Sequence, residues 1–217
     1  MKFKIASLFV LCAILISCGT SRQGGKKQRK GTKAQVVLTP EQQRKYDYFF
    51  LEASRLKMKD DYSAAFDLLQ HCLTINPNAS SALYEISQYY MYLKQVPQGQ
   101  AALEKAVEND PDNYWYSQGL ASLYQQQNEM QKATNLLESM ATRFSDRMDP
   151  LYSLLDIYNR LEEYDNVITT LNRLEEKMGK NEQLSMEKFR IYLQKKDNQS
   201  AFREIESLVE EYPMDMR

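Results

Sequence analysis

Ser80–Asn113 reads SSALYEISQYYMYLKQVPQGQAALEKAVENDPDN, and the chain falls into register with this stretch at a step of 34 residues. Gly99 aligns with Ala65, Ala133, Val167 and Ala201. Leu103 aligns with Leu69, Leu137, Leu171 and Ile205, and Tyr90 with Leu56, Tyr124, Tyr158 and Tyr192. Pro111 has counterparts in Pro77 and Pro213. A fixed period of this size marks stacked supersecondary units, each of which leaves an apolar face that only a neighbour can cover. Taking the prolines as the grid, the units run 46–79, 80–113, 114–147, 148–181 and 182–215. Each predicts two helical stretches around a polar break such as Lys59-Asp60-Asp61 or Gln127-Asn128-Glu129. Pro97 falls near the start of a second helix, where its missing N–H costs nothing. Upstream, Thr39-Pro40-Glu41-Gln42 is a helix-start signature with a capping threonine, an early proline and a glutamine three positions on.

The small column supplies the physical logic. Alanine or glycine early in each second helix lets its backbone approach the partner helix closely, and the tyrosine and Leu/Ile columns fill the space around the contact. Tyr62, Val96, Met130 and Tyr164 form a further apolar column at the break. The high tyrosine count is thereby explained as core. The pattern resembles the tetratricopeptide repeat. The second unit carries Leu83, Ile86, Tyr90, Leu103, Ala106 and Pro111 in the family's slots; the fourth has Leu151, Leu154, Tyr158, Leu171 and Leu174, with Gly179 in place of the closing proline. Glu52 and Lys188 stand where a core leucine is usual, and the early glycine of the first helix is replaced by Ala53, Ser87, Ala121, Leu155 and Phe189. The resemblance implies an all-α, right-handed solenoid of about five helix-turn-helix units that binds other proteins.

In that family the first helix of each unit lines a concave groove. By register, the groove here presents Phe50, Ser54 and Met58, then Tyr84, Gln88, Met91 and Tyr92, then Trp115, Gln118, Ser122 and Gln125, then Tyr152, Asp156 and Arg160. Aromatic anchors among amides and hydroxyls suit a peptide or a partner helix. The family's chaperone-tail clamp uses Lys and Asn at set positions. Gln88 and Ser122 occupy slots where Asn would stand, so that specificity is not supported.

The first seventeen residues read as a lipoprotein signal peptide. Lys2 and Lys4 precede the apolar run Ile5–Ile16, which as a helix would span only about 18 Å, short of the ~30 Å hydrocarbon core. Leu15-Ile16-Ser17-Cys18-Gly19 resembles a bacterial lipobox, which implies a diacylglycerol on the Cys18 sulfur and cleavage before it. An ordinary cleaved signal with a chance cysteine is the competing reading. Residues 18–40 form a basic, apolar-poor stem, read as a flexible tether or as a segment lying on anionic head groups. The stem lacks the acidic residues that follow the cysteine in some surface-exported lipoproteins, so the expected location is the cell envelope, at the outer membrane facing the periplasm. The array is expected over residues 41–217.

Composition excludes several classes. Residues 1–40 hold eight Lys or Arg and no acidic residue, which leaves 20 basic and 29 acidic side chains beyond them, a net of −9. An acidic array is not the charge layout of a nucleic-acid binder. Cys12 leaves with the signal and Cys18 is acylated, so Cys72 has no partner for an intramolecular disulfide and reads as a small buried hydrophobe. His71 is the single histidine and Gly24-Gly25 heads no strand–helix pattern, so neither a metal cluster nor a phosphate loop is suggested. The carboxylates fall on polar helix faces. No cofactor and no catalytic residue is predicted, and the expected role is a non-catalytic, membrane-anchored scaffold. Two alternatives are an accessory lipoprotein of outer-membrane assembly or secretion, and a positioning module for a C-terminal enzymatic or glycan-binding part. The second alternative draws on a resemblance to the N-terminal part of longer Bacteroidota repeat lipoproteins. Self-association through the last repeat, which has no polar capping helix, is a further expectation.

Overall fold

The computed structural model describes residues 37–212. The predicted signal, Cys18, the cationic stretch of the stem and Pro213 lie outside them. The described residues form ten α-helices in five antiparallel pairs: α1 (Pro40–Lys57) with α2 (Tyr62–Ile75), α3 (Ser80–Tyr92) with α4 (Val96–Asn109), α5 (Tyr114–Gln126) with α6 (Met130–Arg143), α7 (Asp149–Arg160) with α8 (Tyr164–Met178), and α9 (Glu182–Gln194) with α10 (Asn198–Glu211). Each second helix packs on the first helix of the next unit, which gives the expected all-α solenoid. No helix among the described residues is long and apolar enough to cross a membrane.

The chain starts its helices where the sequence says it should. Thr39 closes a capping box with Gln42: its hydroxyl accepts from the Gln42 N–H at 3.2 Å, and Gln42 Oε1 accepts from the Thr39 N–H at 2.9 Å. Pro97 sits in the first turn of α4. The polar breaks prove to be five copies of one turn. Asp60, Lys94, Asn128, Glu162 and Lys196, spaced by 34 residues, all adopt φ of 57–62°. The residue after each donates its N–H to a carbonyl five positions back, as in Gln95 to Tyr90 at 2.8 Å and Glu129 to Tyr124 at 2.8 Å. These are Schellman caps, and the tyrosine column supplies the accepting carbonyl in four of the five.

The small and leucine columns predicted as core are core, whereas the tyrosine column is so only in part: Tyr124 and Tyr158 are buried, Tyr90 and Tyr192 half-buried. Ala65, Ala133, Val167 and Ala201 are fully buried, and Leu69, Leu103, Leu137 and Leu171 nearly so. Ile205, in the last second helix, is half-buried. Gly99 marks a close approach of α4 to α3. A Cβ there would stand 2.7 Å from Met91 Sδ and 3.1 Å from the Ser87 carbonyl oxygen. Tyr124 and Tyr158 are buried with their hydroxyls donating to Glu104 at 2.9 Å and Glu138 at 3.4 Å on the preceding second helix. Cys72 is fully buried, and burial pushes its thiol up to about 11. His71 is exposed, with its ring 5.6 Å from that of Phe49.

Lys188 holds a core slot and is 2% exposed. Its ammonium lies 2.8 Å from Glu175 and 2.9 Å from Glu204, and Lys180 reaches the same carboxylates at 3.6 and 3.2 Å. Burial opposes the charge on Lys188, but the hydrogen bonds to Glu175 and Glu204 outweigh it and hold the ammonium above its ordinary value. α8 is also one residue longer than α2, α4, α6 and α10, and it ends at Gly179 with φ 80° in the slot that holds Pro77, Pro111 and Pro213 in three other units and Ser145 in the third.

Candidate functional site

First helices of neighbouring units stand side by side, as the stacking of Tyr84 of α3 on Tyr116 of α5 shows (centroids 4.8 Å apart). The predicted groove residues divide by exposure. Ser54, Met58, Gln88, Tyr92, Trp115, Tyr152, Asp156 and Arg160 are exposed; Phe50, Tyr84, Met91, Gln118, Ser122 and Gln125 are half-buried. Tyr92 and Trp115 are 80% and 63% exposed, a large surface for rings that water solvates poorly.

The half-buried members are partly committed to the fold. Phe50 stacks on Tyr46 at 5.9 Å, Met91 fills the space above Gly99, and Gln118 accepts from the Tyr114 hydroxyl at 3.0 Å. Trp115 is set by its surroundings: it meets Tyr114 edge-on at 5.3 Å, and the Arg147 guanidinium lies 3.9 Å from the Tyr114 ring centre and 5.4 Å from that of Trp115. Arg147 also reaches Asp149 at 3.4 Å. Such stacking restricts the indole before any partner arrives, which lowers the entropic cost of contact.

The charges along this face are tied up in pairs. Asp156 and Arg160 stand 3.5 Å apart one turn from each other on α7, and Arg190 pairs with Glu187 on α9. Lys57, at the end of α1, lies 2.7 Å from Glu85, and this hydrogen bond raises its ammonium above the ordinary value. All these pairs are partly exposed, so each contributes well under about 1 kcal/mol of stability.

One feature beside the predicted groove residues escaped the sequence. Lys57, Tyr62, Gln88, Tyr89 and Tyr92 surround a cavity of about 450 Å³ where the ends of α1 and α3 meet the start of α2. Tyr62 reads from sequence as part of an apolar column at the break, yet it is 48% exposed and donates its hydroxyl to Asp60 at 2.7 Å. Val96, Met130 and Tyr164 in the same column are half-buried. Tyr62 and Tyr89 lie 6.4 Å apart at 60°, and Phe66 backs Tyr89 at 5.9 Å. The Tyr89 hydroxyl is buried without a hydrogen-bond partner among the described residues, and burial raises its pKa. The signal available in sequence was the run Tyr89-Tyr90-Met91-Tyr92, which puts aromatic residues on every side of α3.

Comparison with known proteins agrees on the fold. A family profile described as tetratricopeptide repeat matches residues 80–113, the second unit. Among solved structures, MamA aligns over 77% of this chain and 92% of its own at 18% identity and a TM-score of 0.56. A tetratricopeptide repeat protein from Parabacteroides merdae aligns over 79% of this chain and 68% of its own at 16% identity, with a TM-score of 0.57. YrrB, described as a TPR protein with an unusual peptide-binding site, aligns over 77% and 87% at 13% identity and a TM-score of 0.53. No curated protein matches by sequence. At these identities the likeness concerns architecture: a tetratricopeptide-type solenoid.

Proposed function

We propose that the array is a non-catalytic docking scaffold, tethered to a bacterial envelope membrane through acylated Cys18, that takes an extended segment or helix of a partner protein along the face of its first helices. The observation that carries this reading is the exposure of Tyr92, Trp115 and Tyr152 on that face. Buried rings need no partner, whereas exposed rings held in place by Arg147 and by the Tyr152 hydroxyl's 3.3 Å contact with Met178 Sδ form a preorganised surface. The tetratricopeptide-type fold supports the same reading, because its solenoid leaves this face open along the stack. The tether would confine encounters to the membrane surface and raise the effective concentration of partners there.

Two measurements test the two halves. Replacing Tyr92, Trp115 and Tyr152 by Ala should abolish crosslinking to the partner recovered with the parent chain while helicity stays unchanged. Equal recovery would move the binding surface elsewhere. For the anchor, mass spectrometry of the mature N-terminus should show acylated Cys18, and Cys18→Ser should release the chain from membranes. An unmodified N-terminus would remove the tether from the account.

A further inference from the structure

The cavity between α1, α2 and α3 is walled by Tyr62, Tyr89 and Tyr92, and its rim carries Lys57 and Gln88. A wider depression of about 550 Å³ over Glu138, Ser139, Thr142 and Arg143 belongs to α6 alone and has no aromatic lining. The charges at the smaller cavity are closed off. Glu85 holds the Lys57 ammonium at 2.7 Å, and Asp60 accepts from the Tyr62 hydroxyl at 2.7 Å. A charged guest would have to displace one member of these contacts while giving up its own hydration. Gln88 and Tyr92 also belong to the groove, whose eight positions on α3 and α5 carry no charged side chain. Amides and hydroxyls along it can pair with the backbone of an extended chain without attracting an ion.

Tyr89 adds the specific element. Its ring forms a wall of the cavity, it is 8% exposed overall, and its hydroxyl is buried and unpartnered among the described residues. An unsatisfied buried hydroxyl is costly; it is closed to water as the ring stands, so a guest that tilts the Tyr89 ring and brings a hydrogen-bonding tip to it recovers that loss. Resting on the groove reading above, we propose that this cavity is the anchor of the groove: it takes one tyrosine or tryptophan side chain from an otherwise uncharged segment of the partner protein. Such a ring has an apolar body for the tyrosine walls and a polar tip for the Tyr89 hydroxyl.

The test pans the full chain against a random dodecapeptide phage library and measures the selected peptides, labelled, by fluorescence anisotropy. The enriched sequences should carry Tyr or Trp within an uncharged stretch. Their Kd should change less than about threefold between 50 and 500 mM salt, since no free ion is engaged. Tyr92→Ala, at a position exposed enough to leave folding intact, should weaken them about tenfold or more. Tyr89→Phe should keep the fold and raise its melting temperature, while bringing Tyr and Phe peptides to near-equal affinity. Enrichment of acidic or basic clusters, a steep salt dependence, or an unchanged Tyr-over-Phe preference in Tyr89→Phe would overturn the anchor and leave the groove standing. No enrichment on the parent over a Trp115→Ala/Tyr152→Ala variant would overturn the groove, and the anchor with it.

Discussion

Where α6 meets α7, Leu137, Met140, Leu151 and Leu154 are buried together, and the slot one repeat after Leu154 is Lys188, where α8 meets α9. The two junctions share a backbone arrangement and differ in chemistry. At the first, apolar side chains interlock, and Glu138 at the edge is reached by the Tyr158 hydroxyl at 3.4 Å and by Arg173 at 2.7 Å. At the second, two lysines and two glutamates share one interior site. Stacked repeats thus need a filled junction, and either oil or a balanced set of charges fills it. The two differ in tolerance. An apolar junction loses contact area in proportion to the atoms removed, whereas a charged one fails as soon as its balance is broken.

The largest effect should come from breaking that balance. Lys188→Ala leaves Glu175 and Glu204 to share Lys180 alone, one negative charge in excess, and should destabilise the fifth unit by about 3–5 kcal/mol. Hydrogen exchange should then show α9 and α10 opening while α3 to α6 stay protected, since repeats unfold locally. Loss of protection spread evenly over all units would contradict the comparison. Replacing Lys188 and Glu204 together by Leu leaves the Lys180–Glu175 pair and should fall within about 1 kcal/mol of the parent, or exceed it.

A middle-sized effect is expected from the close contact at Gly99. Gly99→Val imposes on α4 the residue that α8 carries, fully buried, at Val167. Because a Cβ at position 99 meets Met91 Sδ at 2.7 Å and backbone oxygen at 3.1 Å, urea unfolding should show a loss of about 1–3 kcal/mol. Acid should single out the charged junction. Burial disfavours the charge on Glu204, but Lys188 and Lys180 beside it hold its carboxyl below the ordinary value. A depressed carboxyl contributes stability above its unfolded pKa, and that contribution is lost as pH falls through the folded one. Below about pH 4 the protection of α9 and α10 should therefore fall ahead of that of α5 and α6.

How much of this was legible in the sequence follows from the grid. A 34-residue period read from Gly99, Leu103 and Tyr90 sufficed for the helix pairs and the small and leucine columns that the fold buries. Lys188 looked like a departure because one column was read at a time. Glu175 stands one repeat after Ala141, and Glu204 one repeat after Thr170, so the compensating change was spread over three columns on three helices. Only packing brings those columns together. The Tyr62–Tyr89–Tyr92 cavity was hidden for a related reason: period shows which face a residue occupies, but not whether facing rings close on one another or leave space between them.

The smallest expected effect concerns the turns, where sequence and backbone disagree five times over. Each first helix ends in a Schellman cap whose left-handed residue is Asp60, Lys94, Asn128, Glu162 or Lys196, never the glycine that position favours. A Cβ in this conformation clashes with the neighbouring carbonyl oxygen, at a cost of roughly 1 kcal/mol that Asn and Asp partly escape by local hydrogen bonding. Lys94→Gly and Glu162→Gly should therefore stabilise the array by a few tenths to about 1 kcal/mol, offset by glycine's freedom in the unfolded chain. Asn128→Gly should be close to neutral. The Glu162 turn joins α7 and α8, between the apolar junction and the charged one, so its substitution also reports on coupling. If units stack as independent layers, Glu162→Gly should add to Lys188→Ala within about 0.5 kcal/mol in a double-mutant cycle. A larger interaction energy would mean that α8 carries strain from the charged junction back to the turn.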